Sequence, residues 1–317
     1  MAAFAAALAA PAGVSAQGLP PKTRFAFGAF GDMPYLPGEE GIVAKLIEDM
    51  NEQDLAFVVH VGDLKASWTP CTDTLFAERR DLLARSRHPM IVLPGDNDWV
   101  DCVTRMTGGF DPLDRLALFR KLFHPGDRTL GSRTLALERQ SADARFAEYV
   151  EHVRWRYGEV LFVGVNVPGS NNNLGYSAEG DAEHARRMAA VDAWLAESFE
   201  LARRGGARGV AIFMQGNPGL DGKPRPLLRP DGFAGIRALL AREAQAFSRP
   251  TLLVHGDTHK FRFDRPLHDP RTRRLLANLA RLEVFGTPQL GWVKVGVDLA
   301  SADLFTVVPL AYRSPEQ

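Results

Sequence analysis

The sequence predicts an α/β protein: a parallel sheet with helical crossovers in the first hundred residues, and a β-rich segment in the last fifty. Three observations predict it. Gly31-Asp32, Gly62-Asp63 and Gly95-Asp96 each close a short apolar, β-rich run. The three aspartates follow one another at separations of 31 and 33 residues, which leaves room for a helix between consecutive strands. A fourth pair, Gly256-Asp257, closes the run Thr251–His255 and is followed by His259. Apolar runs of this length ended by glycine read as strands covered on both faces, and open α/β sheets place ligands beyond the carboxyl ends of their strands.

The elements follow in order. Arg24 to Phe30 is the first strand, Phe57 to Val61 the second and Met90 to Pro94 the third. Between them, Glu39 to Asn51 carries Ile42, Leu46 and Ile47 on one helical face, and Thr72 to Ser86 does the same with Leu75, Phe76, Leu82 and Leu83. This is a βαβαβ start, for which right-handed crossovers are expected. Beyond Trp99 the rhythm is lost for about fifty residues, with a helix at Pro112 to Phe123, and we read an insertion at about 100–150 over the active-site edge. Regularity resumes with a strand at Val160 to Val167, an Asn-rich loop through Asn171, Asn172 and Asn173, and a long amphipathic helix at Ala182 to Arg203. A strand at Val210 to Met214, the turn Gln215-Gly216-Asn217-Pro218 and a helix at Gly232 to Phe247 lead to the strand before Asp257. Leu282 to Phe285, Trp292 to Val297 and Leu304 to Val308 read as an antiparallel meander closing a second sheet.

A chain of 317 residues with 45% hydrophobic content buries one large core in one or two domains, and we assign one domain to residues 22–312. Lys+Arg and Asp+Glu balance at 38 each, which removes a global electrostatic case for nucleic acid or an anionic membrane and leaves a small molecule as the expected partner. No later run is apolar enough to span a membrane. The sequence leaves the oligomeric state open. Residues 1–16 are Ala-rich and uncharged and end Val14-Ser15-Ala16, a small-x-small pattern expected of a signal peptide and hence of a periplasmic or secreted protein. The alternative, in the absence of a basic n-region, is a disordered tail.

The two cysteines, Cys71 and Cys102, each follow a Gly-Asp turn at a short distance. Loops leaving neighbouring strands at one edge bring them within reach of a disulfide; the alternative is two unrelated buried thiols.

Four aspartates at strand ends converge in such a fold. Converging carboxylates repel one another unless cations neutralise them, so the pattern points to a metal site.

The order of these motifs resembles the calcineurin-like metallophosphoesterase superfamily, whose strand-end blocks are Asp-x-His, Gly-Asp, Gly-Asn-His-(Asp/Glu), a middle His and Gly-His-x-His. The resemblance runs from about Arg24 to Val308. It implies a four-layer αββα sandwich of two mixed β-sheets and a two-metal site. Asp32 matches the aspartate of the first metal, Asp63 the bridging carboxylate and His259 the last histidine.

The departures fall on nitrogen ligands. Pro34 stands where the first motif has His, and the adjacent Tyr35 is a candidate ligand by analogy with the tyrosinate of the related purple acid phosphatases; packing beside the site is the alternative. Asp96 replaces the second-metal Asn. Asn97 falls in the slot of the histidine that assists the leaving group, where an amide hydrogen-bonds a phosphoryl oxygen but donates no proton as an acid. Asp257 replaces the first His of the last motif, and Gln215 or Asn217 stands in the region of the middle His. An oxygen-rich set favours Mg²⁺, Mn²⁺ or Ca²⁺ over Zn²⁺ or Fe. Lys65 is read as a charge standing in for a lost second metal, as a phosphate contact or as a solvated side chain. A hydrogen-bonded core role is favoured for both His60 and His255, with His255 the preferred substitute acid because it neighbours the His259 motif. Asn166 and the Asn171–Asn173 loop are candidate substrate contacts, as is Asn217, with ordinary turn chemistry as the alternative.

The resemblance implies hydrolysis of a phosphate monoester or diester by a hydroxide that the metals generate from water. A non-catalytic metal- or ligand-binding domain on the same fold is the competing expectation. A nuclease lacks a basic track for its strand.

Overall fold

The computed structural model describes residues 23–221, 229–269 and 271–313. The expected signal segment at residues 1–16 lies outside them. Two mixed sheets pack face to face between helical layers, which is the expected αββα sandwich. The strands are β1 (Arg24–Phe30), β2 (Val58–His60), β3 (Met90–Val92), β4 (Glu138–Arg139), β5 (Val153–Tyr157), β6 (Val160–Gly164), β7 (Gly209–Phe213), β8 (Thr251–His255), β9 (Arg262–Asp264), β10 (Leu279–Glu283), β11 (Gly291–Asp298) and β12 (Phe305–Ala311). The helices are α1 (Glu39–Glu52), α2 (Asp73–Leu83), α3 (Pro112–Phe123), the single turn α4 (Gly169–Asn172), α5 (Ala178–Arg204) and α6 (Ala234–Phe247).

Among the described residues the first sheet runs β12-β11-β1-β2-β3 and the second β4-β5-β6-β7-β8-β10-β9. β1, β2 and β3 are parallel, as are β6, β7, β8 and β10. The βαβαβ start is therefore present.

The sequence reading of the C-terminal strands needs correction, because they are no single meander. β10 joins the second sheet parallel to β8, whereas β11 and β12 return to the first sheet antiparallel to β1 and to each other. Strand-forming residues fix the elements, but neither propensity nor alternation says which sheet edge a strand will find.

Side-chain alternation builds the layers. On β6 and β7, Leu161, Val163, Val210 and Ile212 face α5 and α6, while Phe162, Ala211 and Phe213 face the first sheet. Between the sheets, Phe27 and Phe57 meet Phe162 at centroid distances of 5.6 and 4.9 Å, with Trp155 stacked on Phe162 at 5.5 Å. Each such ring buries roughly 150–250 Å² and adds offset or edge-on attraction, so this cluster fixes the two sheets against each other. That places the carboxyl ends of both parallel sets at one edge.

Residues 100–150 hold α3 and β4, the latter pairing with β5 at the edge of the second sheet. Cys71 and Cys102 form a disulfide that ties the loop after β2 to the loop after β3.

Candidate active site

Three of the four strand-end aspartates sit in a backbone conformation that side chains seldom adopt. Asp32, Asp63 and Asp257 have φ of 53°, 62° and 83°, and His259 follows at 61°. Aspartate tolerates the left-handed region better than most residues because its short side chain bonds locally. Each chain leaves its strand, reverses sharply and turns its carboxylate into the sandwich edge.

The glycines of these turns serve their neighbours. A Cβ on Gly95 would lie 2.0 Å from Asp63 Oδ1, and one on Gly256 would lie 1.9 Å from Asp32 Oδ2. The glycine of one turn thus makes room for the aspartate of another. Hydrogen bonds complete the lock: the Asp257 amide donates to Asp32 Oδ1 and Oδ2 at 3.1 and 3.0 Å, and the Asn97 amide donates to Asp63 Oδ1 at 3.0 Å.

The structure brings Tyr35, Asp63, Asp96, Asn97, Asp257 and His259 to one cleft of about 550 Å³, with Asp32 buried behind them. Burial and the charge on Asp257 push the Asp32 carboxyl well above the usual carboxylate range, and burial and Asp96 do the same for Asp63. Asp96 is raised to about 8 by burial and by Asp257. Raised values across one cluster mean that the acidic groups together resist ionising without a compensating charge.

Donors now occupy most of these oxygens. Tyr35 Oη donates to Asp63 Oδ2 at 2.6 Å, Asn97 Nδ2 to the same atom at 2.8 Å, and Gln215 Nε2 to Asp32 Oδ1 at 3.2 Å. Ser170 Oγ donates to the carboxylate of Asp96 or Asp101, lying 2.7 Å from Asp96 Oδ2 and 2.9 Å from Asp101 Oδ1. Accordingly, no three His, Cys, Asp or Glu side chains among the described residues stand as a ready ion cage. Asp96 Oδ1 is the exception, buried with no hydrogen-bond partner. His259 donates Nδ1–H to the Thr287 carbonyl at 2.6 Å. A carbonyl only accepts, so Nε2 is the lone-pair nitrogen, the arrangement common to metal-binding histidines.

Several sequence expectations change. Tyr35 is a neutral donor to Asp63 here, since burial and the neighbouring carboxylates push its hydroxyl further above its ordinary range. Lys65 does not line the cleft; it is buried, bonds the Ala66 carbonyl at 3.2 Å, and has Asp98, Asp63 and Asp101 for charged neighbours, while burial lowers its pKa. His255, expected as a substitute acid, lies inside the strand end with Nδ1 2.8 Å from the Gly256 carbonyl, and it does not line the cleft. His60 is likewise internal: its Nδ1 accepts the Gly62 amide, and burial lowers it to about 4.

Asn171 and Asn172 do not line the cleft either. The first donates to the carbonyls of Leu174 and Pro230, the second to the Gly232 carbonyl while accepting from Arg187. The reason is backbone geometry: Ser170, Asn171, Asn172 and Asn173 have φ of 42°, 51°, 55° and 62°, a left-handed turn that asparagine tolerates and whose amides hold it in place. Asn166 donates to Glu151, away from the cleft. Asn217 uses its amide N–H on Asp257 Oδ2 at 2.8 Å and its side-chain oxygen on Gly219.

Sequence reasoning passed over three positioning residues. Asp98 accepts the amides of Asp63, Leu64 and Gly95 at 2.9, 2.8 and 2.8 Å, pinning the second turn to the third. Glu39 Oε2 accepts the amides of Tyr35 and Leu36 and the Thr287 hydroxyl at 2.7, 3.0 and 2.8 Å. Ser170 joins Asp96 to Asp101. Only Asp98 carried a signal, as an acid three residues past Gly95.

Among solved structures the chain superposes on PhoD with a TM-score of 0.51 at 12% identity, covering 88% of this chain and 65% of that one. NAD nucleotidase NadN of Haemophilus influenzae gives 0.42 at 9%, over 91% of this chain and 50% of that one. Vps29 of Cryptosporidium parvum gives 0.32 at 10%, over 92% and 99%. This chain thus spans just under two thirds of PhoD and half of NadN. No family model and no curated protein matches the sequence. The chain has the calcineurin-like metallophosphoesterase fold.

Proposed function

We propose that the protein is a divalent-cation-dependent phosphoric ester hydrolase acting on a small phosphate monoester or diester. The reading is carried by Asp96 Oδ1, a buried carboxylate oxygen without a hydrogen-bond partner among the described residues. This atom and Asp257 Oδ1 lie 2.6 and 2.8 Å from the point a Gly169 Cβ would occupy. The two acidic oxygens converge beside the bare Cα of Gly169, and such an oxygen pair suits a hard cation such as Mg²⁺, Mn²⁺ or Ca²⁺. Asp32 and His259 would hold one ion, Asp96 and Asp257 a second, with Asp63 between them. Bound there, the ions would supply Lewis-acid polarisation of the phosphoryl group and acidify a water.

The chain's own groups supply positioning. Asn97 Nδ2 donates to Tyr35 Oη and Asp63 Oδ2 at 2.9 and 2.8 Å, and a cation on Asp63 would release one of these N–H groups for a phosphoryl oxygen. Because an amide does not ionise, Asn97 supplies no proton to the leaving alcohol, which must take it from water or another group. The disulfide suits an oxidising compartment, in keeping with a periplasmic or secreted protein.

The donors on Asp63 and Asp32 favour a second reading, a non-catalytic binding domain whose carboxylates are already satisfied. Metal analysis of the purified chain, with hydrolysis of an aryl phosphate monoester and diester under Mg²⁺, Mn²⁺ and Zn²⁺, separates the two. The enzyme reading expects metal-dependent turnover that Asp63→Asn abolishes. Bound metal without turnover supports the binding domain, and neither metal nor turnover overturns the enzyme reading.

A further inference from the structure

Beside the carboxylate cleft lies a second groove of about 540 Å³, between the loop before α3 and the start of α5. Asp101 lines both. Its Oδ1 lies 2.9 Å from Ser170 Oγ, which in turn lies 2.7 Å from Asp96 Oδ2, so the groove opens one side chain from the acidic cluster. Its apolar lining includes Val103, Leu113 and Tyr176, which are 60%, 44% and 50% exposed. Three large apolar side chains left to solvent around one groove mark a binding surface more than they do an isolated surface residue.

The charge in the groove is one-sided. Asp101, Asp111, Glu179 and Glu183 line it, and no Lys or Arg does among the described residues. Glu183 is paired with Arg187 at 2.6 Å and Arg229 stacks over the Tyr176 ring at 4.2 Å, so an anionic tail reaching past Asp101 would meet the carboxylates of Asp101, Asp111 and Glu179. The walls are also fixed in advance: the disulfide at Cys102 and the Asp111 cap on α3 hold one side, and the Asn173–Glu183 hydrogen bond of 2.9 Å holds the other. A preformed apolar groove loses little to ordering on binding.

We propose that this groove receives the alcohol portion of the phosphoester, and that the substrate is an amphiphilic ester whose alcohol is apolar and carries no negative charge. The assignment rests on the hydrolase reading, because it takes the phosphate to sit in the carboxylate cleft.

Calorimetry of the full chain with Mn²⁺ tests it, using methyl phosphonate, hexyl phosphonate and 1-hexanol on the wild type and on Val103→Glu. Val103 is exposed, so the variant leaves the core intact. Hexyl phosphonate is expected to bind at least about tenfold more tightly than methyl phosphonate, since two buried methylenes suffice for that ratio. Val103→Glu is expected to erase the advantage and leave methyl phosphonate unchanged. Equal binding of the two phosphonates, or an advantage that survives Val103→Glu, overturns the proposal. If neither phosphonate binds but hexanol does so through Val103, the hydrolase reading falls and the apolar site stands; if nothing binds, both fall.

Discussion

The Tyr35 hydroxyl donates to Asp63 Oδ2 at 2.6 Å, and Asn97 Nδ2 donates to the same oxygen. Asp63, the carboxylate proposed to lie between two ions, is thus capped by neutral donors. A cation must displace at least one of them. Tyr35→Phe removes the stronger competitor, and a hydrogen bond to a charged group is worth about 1.5–3 kcal/mol. Mn²⁺ affinity measured by calorimetry is expected to rise about tenfold or more. A fall would make the hydroxyl a ligand.

Gly169 faces the second candidate ion position. An alanine there places a methyl 2.6 Å from Asp96 Oδ1 and 2.8 Å from both Asp96 Cγ and Asp257 Oδ1, so the buried Asp96 carboxylate must shift. Gly169→Ala is therefore expected to cost about 1–3 kcal/mol in stability while removing one cation from the bound stoichiometry. Metal analysis beside thermal unfolding reads both effects, and an unchanged ion count refutes the placement.

Asp98 holds three backbone amides at once, and no other acceptor is bonded to them among the described residues. Asp98→Ala strands these buried donors and is expected to destabilise the protein by about 3 kcal/mol or more in denaturant unfolding. Asp98→Asn, which keeps one acceptor oxygen, is expected to cost less.

The carboxyls of Asp32, Asp63 and Asp96 are all raised, Asp96 to about 8, with burial the first cause. The folded state then binds more protons than the unfolded one above the unfolded aspartate pKa near 4. The contribution of these three carboxyls to stability without divalent ions is therefore expected to fall as pH rises from about 4 to 8, opposed below about 6.5 by the buried His60, His124 and His152, whose pKa values burial lowers. Saturating Mn²⁺, which replaces those protons, is expected to restore Tm at pH 8 and flatten the profile. Calorimetric Tm values at pH 6.5 and pH 8 check this above the histidine range, and a chelated protein that gains stability with pH there contradicts it.

Nine of the twelve strands among the described residues, their order through β3, the major helices and the Gly-Asp turns were legible because apolar periodicity and turn chemistry act over a few residues, whereas β4, β5 and β9, polar or half-exposed in part, were not read. The cysteine pair was legible for a related reason, since two loops leaving adjacent parallel strands have little choice of direction. Other assignments failed where the decision lay with distant neighbours. Asn171 and Asn172 looked like cleft residues from their place after a strand, yet a left-handed turn spends their amides on its own backbone and on Gly232. His255 was the preferred candidate acid because it neighbours His259, yet it stops inside the strand in the core role favoured for it, short of the reversal that carries Asp257 into the cleft.

Local chemistry in the chain by itself determined that aspartates would end buried strands, because glycine and aspartate tolerate the backbone reversal that a strand end requires. Only the packing of the two sheets decided that Gly95 and Gly256 would make room for Asp63 and Asp32, that Asp98 would pin the turns, and that β11 and β12 would return to β1. Those outcomes depend on contacts between segments far apart in the chain, where a difference of one ångström separates a fitted carboxylate from a clash.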